Sequence, residues 1–593
     1  MKISYKHNSV EKFLVAANFI TGTVVVATFV LLYGFDEPVM RPRTLHIVQI
    51  ISMLIFLAEK TIRFVNAISK RQFLRQSWVE LPLLAGLVVS VMGSGQWFAT
   101  EASAKAKMMA LGIYLVAQVV LKACRSCVNL AASGKNPAQT LIITFLVLIV
   151  TGGGMLMLPK SCNTDRTSFI DAIFTATSAT CVTGLVVKDT GEDFSMMGKV
   201  IILTLIQLGG LGIVIFGVVL ALLLGQALSV RESAAMQDLL SAQTLGKISR
   251  LIGFIIATTI IIELIGALCL FDMWDGAALT SQSCPRWFSS VFHSISAFCN
   301  AGFCLFNTSL IEYRSRWGVY AVIAPLIILG GLGFGVLYNI SEVIIDKFKR
   351  TAKKIFPTKV HISPFQAGMP KKMGLQAKIV LTTSLLLIVV GTLALMIFGS
   401  NNETTVSGNF LTCLFQSITA RTAGFNTINI AAETSQSKFI LIVLMLIGGS
   451  PASTAGGIKT VTLAVLIMVV YATLHKRSQV EVFKRSIRLV IVGRAVTIAI
   501  LFAAVFLAST MALSFTEKQS GFPFEDIMFE SASALGTVGL SAGITPALTT
   551  AGKCIIIITM LIGRLGPLTL LASMTFSLKP AGYEYPDEPI VVG

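Results

Sequence analysis

Four short segments of this sequence end in a glycine followed by a large apolar residue: TCVTGL around Gly184, CNAGF around Gly302, RTAGF around Gly424 and GTVGL around Gly539. The chemistry they suit is ligation of a dehydrated cation, which needs oxygen atoms in place of its water. Backbone carbonyls on an extended strand after a short helix supply them. Glycine allows backbone angles that aim such carbonyls at one axis. The C-terminal end of a preceding half-helix is partly negative and favours a cation there.

The spacing of these segments points to the elements that must hold them. The four glycines lie 118, 122 and 115 residues apart. A second marker recurs downstream as QLGGLG from Gln207, ILGGLG from Ile328, LIGGSP from Leu446 and LIGRLG from Leu561, and its first glycines lie 121, 118 and 115 residues apart. Two markers keeping one period indicate an internal fourfold repeat. Each unit reads as an apolar span, a polar segment, a half-span, the glycine motif, another polar segment and a second span. Half-spans such as Phe169 to Thr180 and Phe524 to Gly536 are too short to cross a bilayer, so they enter and leave on one side as re-entrant loops around a buried or water-filled pathway.

The expected fold class is an all-α polytopic membrane protein with four pseudo-symmetric helix, pore loop and helix units around one central pore, preceded by four further transmembrane helices. The boundaries expected are 1–135 for the N-terminal four-helix domain, 136–230 and 245–346 for units 1 and 2, 347–377 for a basic loop, and 378–475 and 489–593 for units 3 and 4. Composition agrees: the 593 residues are 54% hydrophobic and 13% charged, far more apolar than a soluble chain. The net charge of +18 comes from short segments between apolar runs. Lys347 to Lys378 holds nine Lys/Arg without Asp or Glu, and Lys476 to Arg488 holds five against Glu481 alone. Both are expected to be cytoplasmic by the positive-inside rule, and nothing in their pattern suggests nucleic acid. The first apolar run, Phe13 to Tyr33, lacks a small-residue cleavage site and is read as a retained helix with a cytoplasmic N-terminus.

The ten cysteines are scattered. Cys124 and Cys127 form an isolated CxxC, and Cys162 and Cys284 fall in outer loops where they could pair. His7, His46, His293, His361 and His475 are dispersed and form no catalytic or metal-binding motif, and no GxxxxGK[ST] stretch exists. An enzyme is therefore not expected, and neither is an organic cofactor. Arg564 lies near the middle of an apolar span, where a charge faces a partner or an aqueous cavity; Glu263 in another span is one candidate partner. Arg421 and Glu530 flank strands of different loops and could pair behind them. The second helix of unit 3 is interrupted from Gly448 to Gly457 by Gly-Gly, Ser-Pro and Gly-Gly pairs and should unwind. Lys459 at its end either snorkels to the surface or touches that stretch.

From residue 136 to 593 the sequence resembles the Trk/Ktr/HKT superfamily of potassium transporters. The resemblance rests on TSATCVTGL, SAFCNAGF, ARTAGF and SALGTVGLSAG, on GGSPASTAGGIKT from Gly448 to Thr460, on GRLGPLTL from Gly563 to Leu570, and on the terminal YPDEPIVVG. It implies potassium as the transported ion and a selectivity filter made of Thr180, Cys181, Val182, Thr183 and Gly184, Cys299, Asn300, Ala301 and Gly302, Thr422, Ala423 and Gly424, and Thr537, Val538 and Gly539. The expected K+ ligands are the backbone carbonyls of Thr180, Val182, Asn300, Ala301, Thr422 and Thr537. A serine at the first filter glycine marks sodium-preferring members of that superfamily; here residue 184 is glycine. The resemblance also implies an intramembrane gating loop made of Gly448, Gly449, Ser450, Pro451, Ala452, Ser453, Thr454, Ala455, Gly456 and Gly457, with Lys459, and places Arg564 below the filter.

The implied assembly is a homodimer in the bacterial inner membrane, served by cytoplasmic nucleotide-binding RCK-type subunits. Only sixteen residues follow residue 577, so those subunits are expected to be separate chains, with the basic loops as docking surfaces or as ordinary positive-inside loops. The N-terminal 135 residues depart from the superfamily core. LAEKTIRFVNAISKRQFLRQSWVELPLL resembles the second and third helices of a voltage-sensor-like domain, but the fourth offers only Lys122 and Arg125. A packing or regulatory domain is expected. An inside-negative potential contributes about 2.3 kcal/mol per charge per 100 mV, enough for roughly fiftyfold passive accumulation of a monovalent cation.

Overall fold

The computed structural model describes residues 8–71 apart from 36 and 38, then 111, 112, 114, 115 and 118, then 137–163, 166–212, 248–274, 284–355, 370–399 and 409–574. Unit 1 comprises α3 (Pro137–Leu156), α4 (Phe169–Thr180) and α5 (Met196–Leu211); unit 2 comprises α6 (Ile248–Leu270), α7 (Arg286–Phe298), α8 (Ala324–Leu332) and α9 (Phe334–Ile355). Unit 3 holds α10 (Leu375–Phe398), α11 (Phe410–Thr419), α12 (Ser435–Leu446) and α13 (Thr460–Leu474); unit 4 holds α14 (Leu489–Thr516), α15 (Phe524–Gly536), α16 (Thr550–Leu565) and α17 (Pro567–Met574). Before them, α1 (Asn8–Tyr33) and α2 (Pro42–Asn66) pack on each other.

Among the described residues five helices are long and apolar enough to cross a bilayer unaided: those containing Phe13–Tyr33, Pro42–Asn66, Leu251–Leu270, Leu375–Phe398 and Leu489–Thr516. The half-spans are helices of 12, 13, 10 and 13 residues. At a rise of about 1.5 Å per residue they span roughly 15–20 Å, half the hydrocarbon thickness. Polar side chains set several helix starts: Ser168, Ser195, Asn409, Thr434 and Thr549 accept first-turn amides of α4, α5, α11, α12 and α16, satisfying donors that have no partner within the helix.

Every second helix breaks, not only that of unit 3. α5 stops at Gly212 (φ +80°), α8 at Gly333 (φ +80°) and α16 at Gly566 (φ +83°), and the chain turns by 101° between Val319–Leu332 and Phe334–Ala352. The second sequence marker is thus a helix-breaking signal in all four units. Its first glycine also permits a close approach. A Cβ on Gly209 would overlap the carbonyl oxygen of Thr180, one on Gly330 that of Phe298, and one on Gly563 that of Leu535. Each of these carbonyls lies four residues before the motif glycine of its own unit.

The ring closes by packing each second helix against the half-helix of the next unit: α5 on α7, α8 on α11, α12 on α15 and α16 on α4. The fourth residue of three second helices is a lysine that bridges this joint. Lys438 Nζ donates to Asp526 at 2.7 Å, Lys553 Nζ to Asp171 at 2.7 Å, and Lys199 Nζ to the thiol of Cys284 at 3.2 Å. Cys284 is a free thiol, as is Cys162, which sits 2.9 Å from Thr167 Oγ1, so the two are not joined.

Between α13 and α14 the chain forms a hairpin of β1 (Val480–Val482) and β2 (Arg485–Ile487), turned by Phe483 and Lys484, both at positive φ. This is the one departure from an all-α architecture among the described residues. In the N-terminal pair, Arg63 bridges Glu11 and Glu59 at 2.9 and 2.8 Å, and Val25 and Phe56 pack with Leu111, Tyr114 and Leu115. The Lys160 amide donates to Gly34 O, joining this pair to unit 1. Cys124, Cys127, Lys122 and Arg125 lie outside the described residues.

Candidate ion pathway

The four motif glycines stand in one closed ring in chain order. A Cβ on Gly184 would lie 3.1 Å from Gly302 Cα, one on Gly302 2.9 Å from Gly424 Cα, one on Gly424 3.2 Å from Gly539 Cα, and one on Gly539 2.9 Å from Gly184 Cα. Each such Cβ would also collide with the carbonyl of the residue before the neighbouring glycine: Ala301, Ala423, Val538 and Thr183 respectively. Their φ values of +92°, +70°, +81° and +94° are open to glycine and costly for other residues.

Two residues upstream, Val182, Asn300, Thr422 and Thr537 also hold positive φ, at +57°, +58°, +80° and +50°. Four non-glycine residues in that region at equivalent places mark a strained backbone held by its surroundings. The restraint is visible. The amides of Thr183, Ala301 and Val538 donate back to the carbonyls of Ser178, Ser296 and Ser533 at 2.8, 2.7 and 2.9 Å, and that of Ala423 to Thr419 O at 2.9 Å. With the amides turned onto the half-helices, the strand carbonyls between them are left for the ring's interior. Thr180, Cys181, Cys299 and Asn300 are buried here with Ala301, Ala423, Val538 and the rest of these strands.

On one side the ring opens into a cavity of about 470 Å³ lined by all four glycines and by Asp189, Asn307, Asn426 and Ser541 from the four following segments. On the other side lies the interrupted stretch of unit 3. There Gly448 approaches Gly456 O instead of its own half-helix, and residues 447–459 cross beneath the ring. The loop is held first at the break between α8 and α9. Ser450 N donates to Gly331 O at 2.9 Å, Ser450 Oγ donates to Leu332 O, and Phe334 N donates to Ala452 O at 3.1 Å. Thr454 Oγ1 donates to Phe298 O at 3.4 Å, and a Cβ on Gly456 would strike Thr537 Oγ1. Ser453 Oγ donates to Ser450 O, and Lys459 Nζ donates to Ala455 O at 2.6 Å, so the lysine touches the loop.

Arg564 fastens the loop from unit 4. Its Nη1 donates to Thr454 O, and its Nη2 donates to Gly209 O at 2.6 Å and to Gly210 O at 3.4 Å. The carbonyls at the end of α5 carry the negative pole of that helix, which suits a guanidinium. Glu263 is therefore not the partner of Arg564. It accepts from Gln207 Nε2 at 3.2 Å and stands 3.9 Å from Cys299 Sγ, behind the unit 2 strand. Arg421 and Glu530 do not pair either. Arg421 donates to Ser384 O and Oγ at 3.2 Å on α10, while Glu530 accepts from Ser541 and Thr545 beside the cavity. Arg421 stands three residues before its motif glycine and Glu530 nine before its own, about 9 Å further along a half-helix.

Sequence reasoning missed the hydroxyls of Ser178, Ser296, Thr419 and Ser533, which anchor the strands. Their signal was present: a Ser or Thr recurs five or six residues before every motif glycine.

Comparison with known proteins agrees with this architecture. A family profile described as TrkH, cation transport protein, matches residues 103–581. The Ktr system potassium uptake protein B of Bacillus subtilis (strain 168) is 37% identical over 469 residues, covering 77% of this chain and 97% of its own length. Its counterpart of the same name in Vibrio alginolyticus is 36% identical over 78% of this chain and 96% of its own length, and the potassium/sodium uptake protein NtpJ of Enterococcus hirae is 35% identical over 77% and 97%. The crystal structure of the potassium transporter TrkH from Vibrio parahaemolyticus shares the fold, with a TM-score of 0.57 at 17% identity over 84% of this chain and 96% of that one. With its four glycine strands in one ring and its profile match across most of its length, the chain belongs to the TrkH family of cation transport proteins.

Proposed function

We propose that this chain is the ion-conducting subunit of a bacterial potassium uptake system. The observation that carries the reading is the closed glycine ring with its amides turned outward, which suits a cation stripped of water. Thr180 to Gly184, Cys299 to Gly302, Thr422 to Gly424 and Thr537 to Gly539 form the selectivity filter. Carbonyls of Thr180, Val182, Asn300, Ala301, Thr422 and Thr537 contribute its oxygens, and the hydroxyls of Thr180, Thr183 and Thr537, buried with no hydrogen-bond partner among the described residues, are further oxygen ligands for K+. Gly448 to Gly457 is the gate. It lies across the pathway at the inner end of the filter, and Arg564 and Lys459 hold it closed with positive charge that also opposes a resting cation.

The names of the Ktr relatives describe a system, which supports partner subunits here. Separate cytoplasmic nucleotide-binding RCK-type chains dock on the 347–378 segment and on the Val480–Ile487 hairpin, whose Phe483 ring stands 5.8 Å from Lys378 Nζ. The chain works as a homodimer in the inner membrane with both termini cytoplasmic, and the first 135 residues form a packing or regulatory membrane domain. The name of the Enterococcus relative, which includes sodium, supports a second reading: a sodium-permeable carrier of the same fold.

The deciding experiment is influx of potassium, rubidium and sodium into proteoliposomes, with Gly184→Ser as the comparison. A side chain at φ +92° against Ala301 O must displace the ring. Potassium and rubidium well above sodium, with the preference weakened by the serine, is the expected result. Equal sodium influx favours the second reading, and no influx in the presence of partner subunits overturns both.

A further inference from the structure

One side chain of unit 2 holds the backbone beyond the glycine ring. His293 lies on α7, fully buried, nine residues before Gly302. Its Nδ1 stands 2.7 Å from Ser289 O, and its Nε2 stands 3.3 Å from Leu305 N. A carbonyl only accepts and an amide only donates, so both neighbours require the same tautomer: a neutral ring with its proton on Nδ1 and a lone pair on Nε2 for Leu305. The Cys304 thiol stands 3.2 Å from the same Nε2. The ring is also fixed in orientation, stacked on Phe306 with centroids 5.1 Å apart and tilted against Trp274 at 4.6 Å. Trp274 is tied in turn, its Nε1 donating to Ser290 Oγ at 2.9 Å.

The hold extends to a second unit. Ser309 and Leu310 follow Phe306 closely in the chain, and they clasp unit 3: Asn426 N donates to Ser309 Oγ at 3.1 Å, and Leu310 N donates to Asn426 O at 2.9 Å. Cys304, Phe306, Ser309 and Asn426 all line the cavity. At the place equivalent to His293, unit 3 carries Phe415, which has no polar group, while unit 4 carries Glu530, which accepts from Ser541 Oγ. Ser541 and Cys304 are each the second residue after the motif glycine. Gly302 itself is secured without the imidazole, because Ala301 N donates to Ser296 O at 2.7 Å and Ser296 Oγ to Phe303 O at 2.8 Å.

We propose that His293 is a positioning residue for cation entry: as a hydrogen-bond acceptor it sets the cavity wall of units 2 and 3 just beyond the glycine ring. A wall held in place receives an entering cation without first being ordered, which favours binding. The glycine ring keeps its own supports, so His293 governs how readily the ion enters and not which ion is preferred. This inference rests on reading the strands as a filter, and the experiment separates the two.

His293→Phe keeps an aromatic ring, as in unit 3, and removes the acceptor; His293→Gln keeps an acceptor oxygen at similar reach. In the proteoliposome assay with the full chain, His293→Phe should raise the potassium concentration for half-maximal influx several-fold, with maximal influx and the potassium-to-sodium ratio unchanged. His293→Gln should restore half-saturation to near that of the unsubstituted chain. If His293→Phe gives too little folded protein, His293→Asn takes its place, since its shorter amide leaves Leu305 N without an acceptor. Unchanged half-saturation in the variant lacking the acceptor, a fall in maximal influx alone, or equal impairment by His293→Gln overturns the inference. In each of those cases Gly184→Ser decides for the filter: if it weakens ion preference, only the role of His293 is wrong, and if it does not, the filter reading itself fails.

Discussion

The second helix of unit 3 and those of the other three units begin alike and end in opposite roles. In units 1, 2 and 4 the first marker glycine lets the helix seat its backbone against the last carbonyls of its own half-helix, through Gly209 on Thr180, Gly330 on Phe298 and Gly563 on Leu535. In unit 3 the equivalent Gly448 turns against Gly456 instead, and residues 447–459 leave the helix path to cross beneath the ring. Three units seat the second helix on their own half-helix, and one sends the chain across beneath the ring. The difference lies in the residues next in the chain after the marker: Gly333 and Gly566 allow one bend and a helix resumes at the next residue, whereas Ser-Pro and a second Gly-Gly prevent any helix for a further turn or more.

Substitutions at the glycines give the largest effects and break the comparison directly. Gly209→Ala and Gly563→Ala force a methyl onto a backbone carbonyl of the ring's own support and should destabilise the fold by about 1–3 kcal/mol or more, seen as early thermal unfolding in detergent. Gly456→Ala places its methyl against Thr537 and Gly536 from a loop that is held by hydrogen bonds and not by helix packing. It should leave unfolding unchanged and raise influx. Equal destabilisation by all three would mean that the loop is as much a part of the wall as the other units.

The latch sharpens the same comparison with a smaller effect. Arg564→Met removes hydrogen bonds to Thr454, Gly209 and Gly210 and should raise influx about tenfold, since charged hydrogen bonds contribute roughly 1.5–3 kcal/mol each and part of that is regained by water. Lys459→Met removes one bond to Ala455 and should raise it only about threefold, within the range for a single bond. The reverse order would make Lys459 the principal restraint.

The cavity supplies the smallest effect and a control for the loop. Burial pushes the carboxyl of Asp189 above its ordinary range, with the amides of Glu192 and Gly191 pulling the other way. Its charge is lost, as pH falls, sooner than that of a free carboxylate. Influx should therefore decline by about twofold or less as outer pH drops through that region, because a charge facing water is screened. Asp189→Asn should abolish the dependence at this step and leave the effect of Arg564→Met intact.

The sequence alone determined the fourfold repeat, the half-helices and the unwound stretch of unit 3. These depend on local facts: an apolar run of about 12 residues does not cross a bilayer, and a Gly-Gly, Ser-Pro, Gly-Gly series does not stay helical. Lys459 touching the loop was one of two readings the sequence left open. The repeat marker was visible too, but its purpose was not, because the carbonyl that Gly209 accommodates belongs to Thr180, 29 residues earlier and on a different helix. Only the tertiary structure decided the partners of the buried charges. Arg564 and Glu263 have opposite signs, yet Arg564 donates to the carbonyls at the end of α5, and Glu263 accepts from Gln207. How the half-helix hydroxyl anchors each strand was also beyond the sequence. The same hydroxyl, near the same place in each repeat, accepts from a glycine amide in two units and donates to the next carbonyl in the other two. A hydroxyl carries both capacities, and packing around the ring chooses between them.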